Sequence, residues 1–145
     1  MDDDLTGHRR RGRPRQDELA ARRSAMLDAA AEILVEHGYQ AFTVSAVAAR
    51  AGASKSTVYS WFDNRDGLLR AVIERNYDSG VAPLRADLLD EQDPRTVLIA
   101  VAEQLVPVLQ SELSLALSRA AMSDPTLQPT LLAGGGDRGR PALAA

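Results

Sequence analysis

An all-helical fold is what this 145-residue chain predicts, and three observations predict it. Apolar residues recur at the three-and-four spacing of amphipathic helices through successive segments. Helix start and stop signals fall between those segments, at Gly38, Ser54, Asp93-Pro94 and Asp124-Pro125. Between Thr43 and Phe62 two short helical patterns are hinged at Gly52, the layout of a helix-turn-helix. The organisation expected is a basic arm over residues 1–17, a helix-turn-helix domain over 18–82 with its motif at about 43–62, and a partial helical domain over 83–145.

The elements follow in order. A first helix is expected from about Glu18 to His37, with Met26, Ala30, Ile33 and Leu34 as its inward stripe and His37 as a favourable charge or cap beside the terminating Gly38. The second carries Val44, Val47, Ala48 and Ala51 at helical spacing; the third buries Val58, Trp61 and Phe62, the two aromatics acting as core anchors. Ser54 is placed as the N-cap of the third helix, but Thr57 stands where a capping box would have Glu, which leaves that helix start open to an anion. A fourth helix is expected from Asn64 to about Ser79 on Leu69, Val72, Ile73 and Tyr77. After Pro83 a short turn at Leu84–Glu91 precedes a helix begun by Asp93-Pro94, carrying Val97, Val101, Leu105 and Val108 and kinked or ended by Pro107. A further helix from Glu112 to Met122 presents Leu113, Leu115, Leu117, Ala120 and Ala121. Residues 126–132 are ambiguous, and Gly134–Gly136 break any helix.

Once the third helix buries its apolar side, Lys55, Ser56, Thr57, Tyr59 and Ser60 remain outside. Hydroxyls, a phenol and an ammonium are the donors that phosphate oxygens and base edges accept from. No Asp or Glu stands between Glu36 and Asp63, whereas acids crowd both flanks. A carboxylate there would repel phosphate, so the gap suits a surface that faces a polyanion. Upstream, Arg9, Arg10, Arg11, Arg13 and Arg15 lie within seven residues that hold no apolar anchor, a disordered basic arm by composition. Its Arg-Gly-Arg-Pro suits insertion of Arg13 and Arg15 into a narrow A·T-rich minor groove. The same tetrapeptide at Arg138–Pro141 stands without further arginines and is read as coincidence.

Residues from about Arg22 to Asn76 resemble the DNA-binding domain of the TetR family of bacterial transcription regulators. The likeness is carried by Gly38, Thr43, Ala51, Gly52, Ser54, Lys55, Thr57, Val58, Tyr59, Trp61, Phe62, Arg65, Leu68 and Leu69. It implies that Thr43 holds a phosphate at the start of the second helix, that Ser54, Lys55, Ser56 and Thr57 bring the recognition helix to base edges and nearby phosphates, that Tyr59 gives its phenol to a phosphate, and that Ser60 faces the same side one turn after Ser56. By the same resemblance Arg65, where the family usually has lysine, grips phosphate bidentately. Ala46 replaces a common acidic cap, so a fraying second helix is expected. Gly67 in the first turn of the fourth is expected to cost up to about 1 kcal/mol relative to Ala.

The resemblance further implies an all-α regulator: an N-terminal helix-turn-helix DNA-binding domain, then a C-terminal helical regulatory domain for ligand sensing and dimerisation. The partners expected are double-stranded DNA with a pseudo-palindromic operator, a small-molecule effector and a second copy of the chain. Residues 83–145 are fewer than would enclose an ordinary effector cavity of about 300 Å³ or more unaided, so the C-terminal part reads as truncated. A DNA-binding adaptor without its own effector pocket is the alternative. Leu105, Leu109, Leu113 and Leu117 read as core before cavity lining.

Charge fits this division. The net charge of −3 sums unlike parts: +4 over Arg9–Asn76, −4 over Tyr77–Ala145 and −3 over Met1–His8. An enzyme finds little footing, since catalysis needs convergent reactive groups and the chain has two distant histidines, His8 and His37, and no cysteine. It shows no metal spacing, phosphate loop or nucleophile elbow, so neither metal nor cofactor is expected. With no run of 18 apolar residues and no signal peptide, a cytoplasmic bacterial protein without a membrane partner is expected.

Overall fold

The computed structural model describes residues 16–80 and 93–132. The expected basic arm with Arg13 and Arg15, the turn at 84–91 and the glycines at 134–136 lie outside the described residues. Six α-helices make up the rest: α1 Gln16–Ala41, α2 Val44–Arg50, α3 Lys55–Phe62, α4 Arg65–Gly80, α5 Pro94–Leu109 and α6 Glu112–Ser123. A 3₁₀ turn at Pro125–Leu127 follows, and residues 128–132 are again helical. The all-α class expected from the periodicities is the class found, with no strand among the described residues.

Helix α1 breaks where the sequence placed its end. Gly38 takes φ 74 and ψ −179, a conformation an L side chain resists, and the last residues form a separate turn that leads to Phe42. Phe42 is wholly buried and anchors a core it shares with Leu34, Val47, Val58, Leu68, Leu69 and Val72. The expected stripe of Met26, Ala30, Ile33 and Leu34 is buried throughout. Ion pairs between Arg50 and Glu36 (2.6 Å) and between Arg75 and Asp28 (2.7 Å) tie α2 and α4 to the outer side of α1. Such exposed pairs orient helices more than they stabilise them.

Capping explains how two helices as short as α2 and α3 are defined. Thr43 Oγ1 accepts from the Ala46 amide at 3.1 Å, so α2 has a side-chain cap although Ala46 supplies none itself. Gly52, at φ 62, turns the chain, and Ala53 N–H returns to the Ala48 carbonyl at 2.9 Å. Ser54 Oγ then accepts from the Thr57 amide at 3.1 Å and starts α3.

Between α3 and α4 the chain makes a three-residue turn. Asp63 stands at φ 66 and ψ −55, and Asn64 N–H closes onto the Phe62 carbonyl at 2.7 Å, a γ-turn of the rarer, strained kind. Asn64 Oδ1 caps α4 by accepting from Gly67 N–H at 2.9 Å. A Cβ on Gly67 would stand 2.0 Å from the Phe62 carbonyl oxygen. The glycine expected to weaken the helix is therefore what lets the turn close against it.

The C-terminal helices are unequal. On α6, Leu117 and Ala120 join the same core as α1 and α4, as does Leu127 beyond it, and Asn76 Nδ2 donates to Ser114 Oγ at 3.2 Å. Helix α5 starts on Asp93, whose carboxylate accepts from the Thr96 hydroxyl and from the Thr96 and Arg95 amides. Those bonds, the hydroxyl's first, hold Asp93 below the usual carboxylate range. The helix runs through Pro107 to Leu109 and buries no residue fully; Leu98 is 69% exposed and Leu109 58%. The stripe expected to face inward, Val97, Val101, Leu105 and Val108, is only half-buried.

Candidate nucleic-acid interface

Helix α3 turns its apolar side, Val58 and Phe62, into the core and leaves Lys55, Ser56, Tyr59 and Ser60 exposed, Tyr59 by 50%. Trp61, expected to be buried with them, is only half-buried and packs against the core's edge.

The first turn of α3 gathers three hydroxyls. Ser54 Oγ lies 2.8 Å from Ser56 Oγ and 2.7 Å from Thr57 Oγ1, besides accepting the Thr57 amide. Three hydroxyls own three protons and the two contacts among them use two, so one O–H is left to donate outward, together with free lone pairs. The cap expected to stand open is thus filled for the Thr57 amide, yet the cluster still both donates and accepts. Ser60 differs, because its hydroxyl donates to the Thr57 carbonyl at 2.9 Å and offers only acceptor capacity to a ligand. Thr43 is exposed and accepts the Ala46 amide, which leaves its own proton free.

Two arginines have other employment than the sequence suggested. Arg65 Nε donates to the Phe42 carbonyl and Nη2 to the Tyr39 carbonyl, both at 2.7 Å, while its plane lies 4.0 Å from the centre of the Tyr39 ring. A side chain spent on the carbonyls that end α1 does not present the two-pronged phosphate grip expected of it; it clasps the start of α4 to the end of α1. Burial pushes the Tyr39 phenol up, against the pull of Arg65. Arg50, which lies in the stretch without acids, is paired with Glu36 and also lies 3.5 Å from Glu32. Its hydrogen bond holds Glu36 below the ordinary carboxylate range and raises Arg50 in turn. A window free of acids along the chain is not free of them in space, because α2 lies on α1.

On the other side of α3 a surface notch of about 450 Å³ opens between α1 and the α2–α3 turn. Arg22 and Met26 form one wall, and Gly52, Ser54 and Thr57 the other, with no carboxylate in the lining. Arg22 was missed from the sequence, although it stands four residues before Met26, on the same face of the first helix and in its exposed opening turns.

The described residues also form other hollows, one of about 330 Å³ between the end of α1 and α6 among them. They hold no group of three His, Cys, Asp or Glu side chains that could take a metal, and no single helix among them is long and apolar enough to cross a membrane.

Comparison with known proteins agrees with this geometry. Residues 26–72, from the α1 stripe to the middle of α4, match the family model described as bacterial regulatory proteins, tetR family. The chain is 35% identical over 106 residues to the HTH-type transcriptional activator FasR of Mycolicibacterium smegmatis, covering 73% of this chain and 47% of that one. It is 34% identical over 98 residues to the HTH-type transcriptional repressor ComR of Escherichia coli, covering 68% and 44%. The crystal structure of a TetR transcriptional regulator from Agrobacterium tumefaciens superposes with a TM-score of 0.56 at 40% identity, covering 71% of this chain and 50% of that one. The chain thus spans about half the length of the relatives it matches. With the hinge at Gly52, the hydroxyl-capped α3 and the family match falling on one stretch, the chain belongs to the TetR family of bacterial regulatory proteins.

Proposed function

We propose that the chain is a sequence-specific DNA-binding regulator that represses transcription and is released by a small-molecule effector. The observation that carries the reading is α3: an apolar side packed into the core and an outward side made only of hydroxyls, a phenol and an ammonium. In the complex Lys55 and Tyr59 meet phosphates, and the cluster of Ser54, Ser56 and Thr57 reaches base edges with one donor and several acceptors. Ser60 accepts, Thr43 donates to a phosphate beside α2, and the arm with Arg13 and Arg15 follows the neighbouring minor groove.

Two heads on a pseudo-palindromic site set their recognition helices about 34–36 Å apart, or a multiple of that. A homodimer supplies both heads. The relatives named above include an activator and a repressor, and repression is the sign adopted because a head that occupies a promoter blocks it without further contacts. A second reading, a DNA-binding adaptor that relies on another subunit, is favoured by α5, which buries no side chain fully and so encloses no cavity by itself among the described residues.

Selection of bound fragments from random duplexes at physiological salt, with the solution mass measured in parallel, tests the proposal. It stands if a two-fold motif emerges. Uniform recovery of unrelated sequences would refute sequence-specific binding, and a single half-site bound by a monomer would favour the adaptor.

A further inference from the structure

We infer that the notch between α1 and the α2–α3 turn is a backbone-phosphate site with Arg22 as its cation. The inference rests on the DNA-binding reading and goes beyond it by adding the first helix to the contact surface. Arg22 is exposed, and no hydrogen bond or ion pair holds it among the described residues. Its neighbours in the head are occupied: Arg50 by Glu36, Arg65 by two carbonyls and Arg75 by Asp28, while Arg23 lies 5.3 Å over the Phe62 ring. Among the described residues of the head Arg70 is also without a partner, but the hollow it lines is shared with Asp63 and Glu74, whose carboxylates oppose an anion, and the notch at Arg22 has none.

The wall it faces is chemically suited to a phosphodiester. Gly52 presents bare backbone, with nothing within 4 Å of where a Cβ would stand, so a sugar-phosphate unit can approach closely. Ser54 and Thr57 bring hydroxyls to the same hollow, and no acid opposes an anion there. The volume of about 450 Å³ admits a phosphate with part of its sugar. Arginine's planar fork suits two phosphate oxygens at once. A strand seated in the notch runs on across the first turn of α3 towards Lys55, which fixes the angle at which the recognition helix enters the major groove.

The test uses the full chain and a duplex carrying its selected site, with affinity measured from about 50 to 200 mM salt. Arg22→Gln is expected to reduce the slope of log affinity against log salt by about 0.9, the counterions released by one phosphate, and to weaken related and unrelated duplexes alike. Arg22→Lys is expected to keep the slope while losing part of the affinity, since charge survives and the fork does not. An unchanged slope and affinity in Arg22→Gln, beside a weakened Lys55→Ala, would overturn the notch and leave the DNA-binding reading intact. If the parent chain binds no duplex, both fall. Equal melting temperatures of parent and variants exclude misfolding, and a loss confined to particular base pairs would overturn a phosphate contact in favour of base readout.

Discussion

Replacing Gly67 by alanine sets local helix preference against a single close contact. By propensity the change stabilises α4, by up to about 1 kcal/mol for a site well inside a helix and less in a first turn. By geometry it places a methyl carbon 2.0 Å from the Phe62 carbonyl oxygen and 3.1 Å from the carbonyl carbon. Both atoms are backbone, and the oxygen already accepts Asn64 N–H at 2.7 Å, so it cannot swing aside without opening the turn. Relief requires a shift of about 1 Å or more in a segment fixed by the buried Phe62, and overfilling of this kind typically costs about 1–3 kcal/mol. The net expectation is a loss of about 1–2 kcal/mol, or a melting temperature lower by roughly 3–8 °C in a chain of this size.

Urea unfolding followed by circular dichroism at 222 nm measures it, provided the slope with denaturant is unchanged. Asp63→Gly is the companion variant. It relaxes a residue held at φ 66, a gain of about 1–2 kcal/mol set against about 0.5–1 kcal/mol of extra freedom in the unfolded chain, so it should be neutral or mildly stabilising. A Gly67→Ala variant as stable as the parent, or more so, would refute the account of this turn.

Three further expectations bear on the interface and its supports. Tyr59→Phe removes only an exposed hydroxyl and should weaken duplex binding roughly tenfold, the value of about 1.5 kcal/mol for a hydrogen bond to a charged group; equal titrations would take Tyr59 out of the interface. Glu36 has its ionisation held below the ordinary 4.5 by Arg50. The contribution of the pair is therefore full above that value and is lost as pH falls through the lowered one. Glu36→Gln should flatten acid unfolding in that window, and an unaltered acid profile would show that the pair adds nothing. Deleting residues 1–15 should lower affinity for A·T-flanked sites more than for G·C-flanked ones; equal losses would make the arm a nonspecific tether.

What could be read from the chain was what depends on neighbours in sequence. Gly38 and Ser54 announced a helix end and a helix start because both act within one turn, and the Met26–Leu34 stripe announced its buried side by period alone. What escaped depends on distant partners. Arg65 looked like a phosphate clamp because its acceptors, the carbonyls of Phe42 and Tyr39, come from more than twenty residues away. The stretch around Arg50 holds no acid along the chain, because Glu36 comes to it only when α2 lies across α1. Gly67 looked like a flaw because propensity is a single-residue quantity, while its use is set by the backbone of a preceding helix. At the candidate site, the outward set on α3 was legible from periodicity. The proton count of its hydroxyls and the notch at Arg22 needed coordinates.

Leu117, Ala120 and Leu127 belong to the same buried cluster as Phe42, Val58 and Val72. One continuous core therefore joins the α1–α4 head to α6. A fragment ended at residue 82 would expose the dry side of α1 and melt earlier than the parent. For the same reason, a displacement of α6 is felt by the buried side of α3, through the cluster that holds Leu117 and Val58 together.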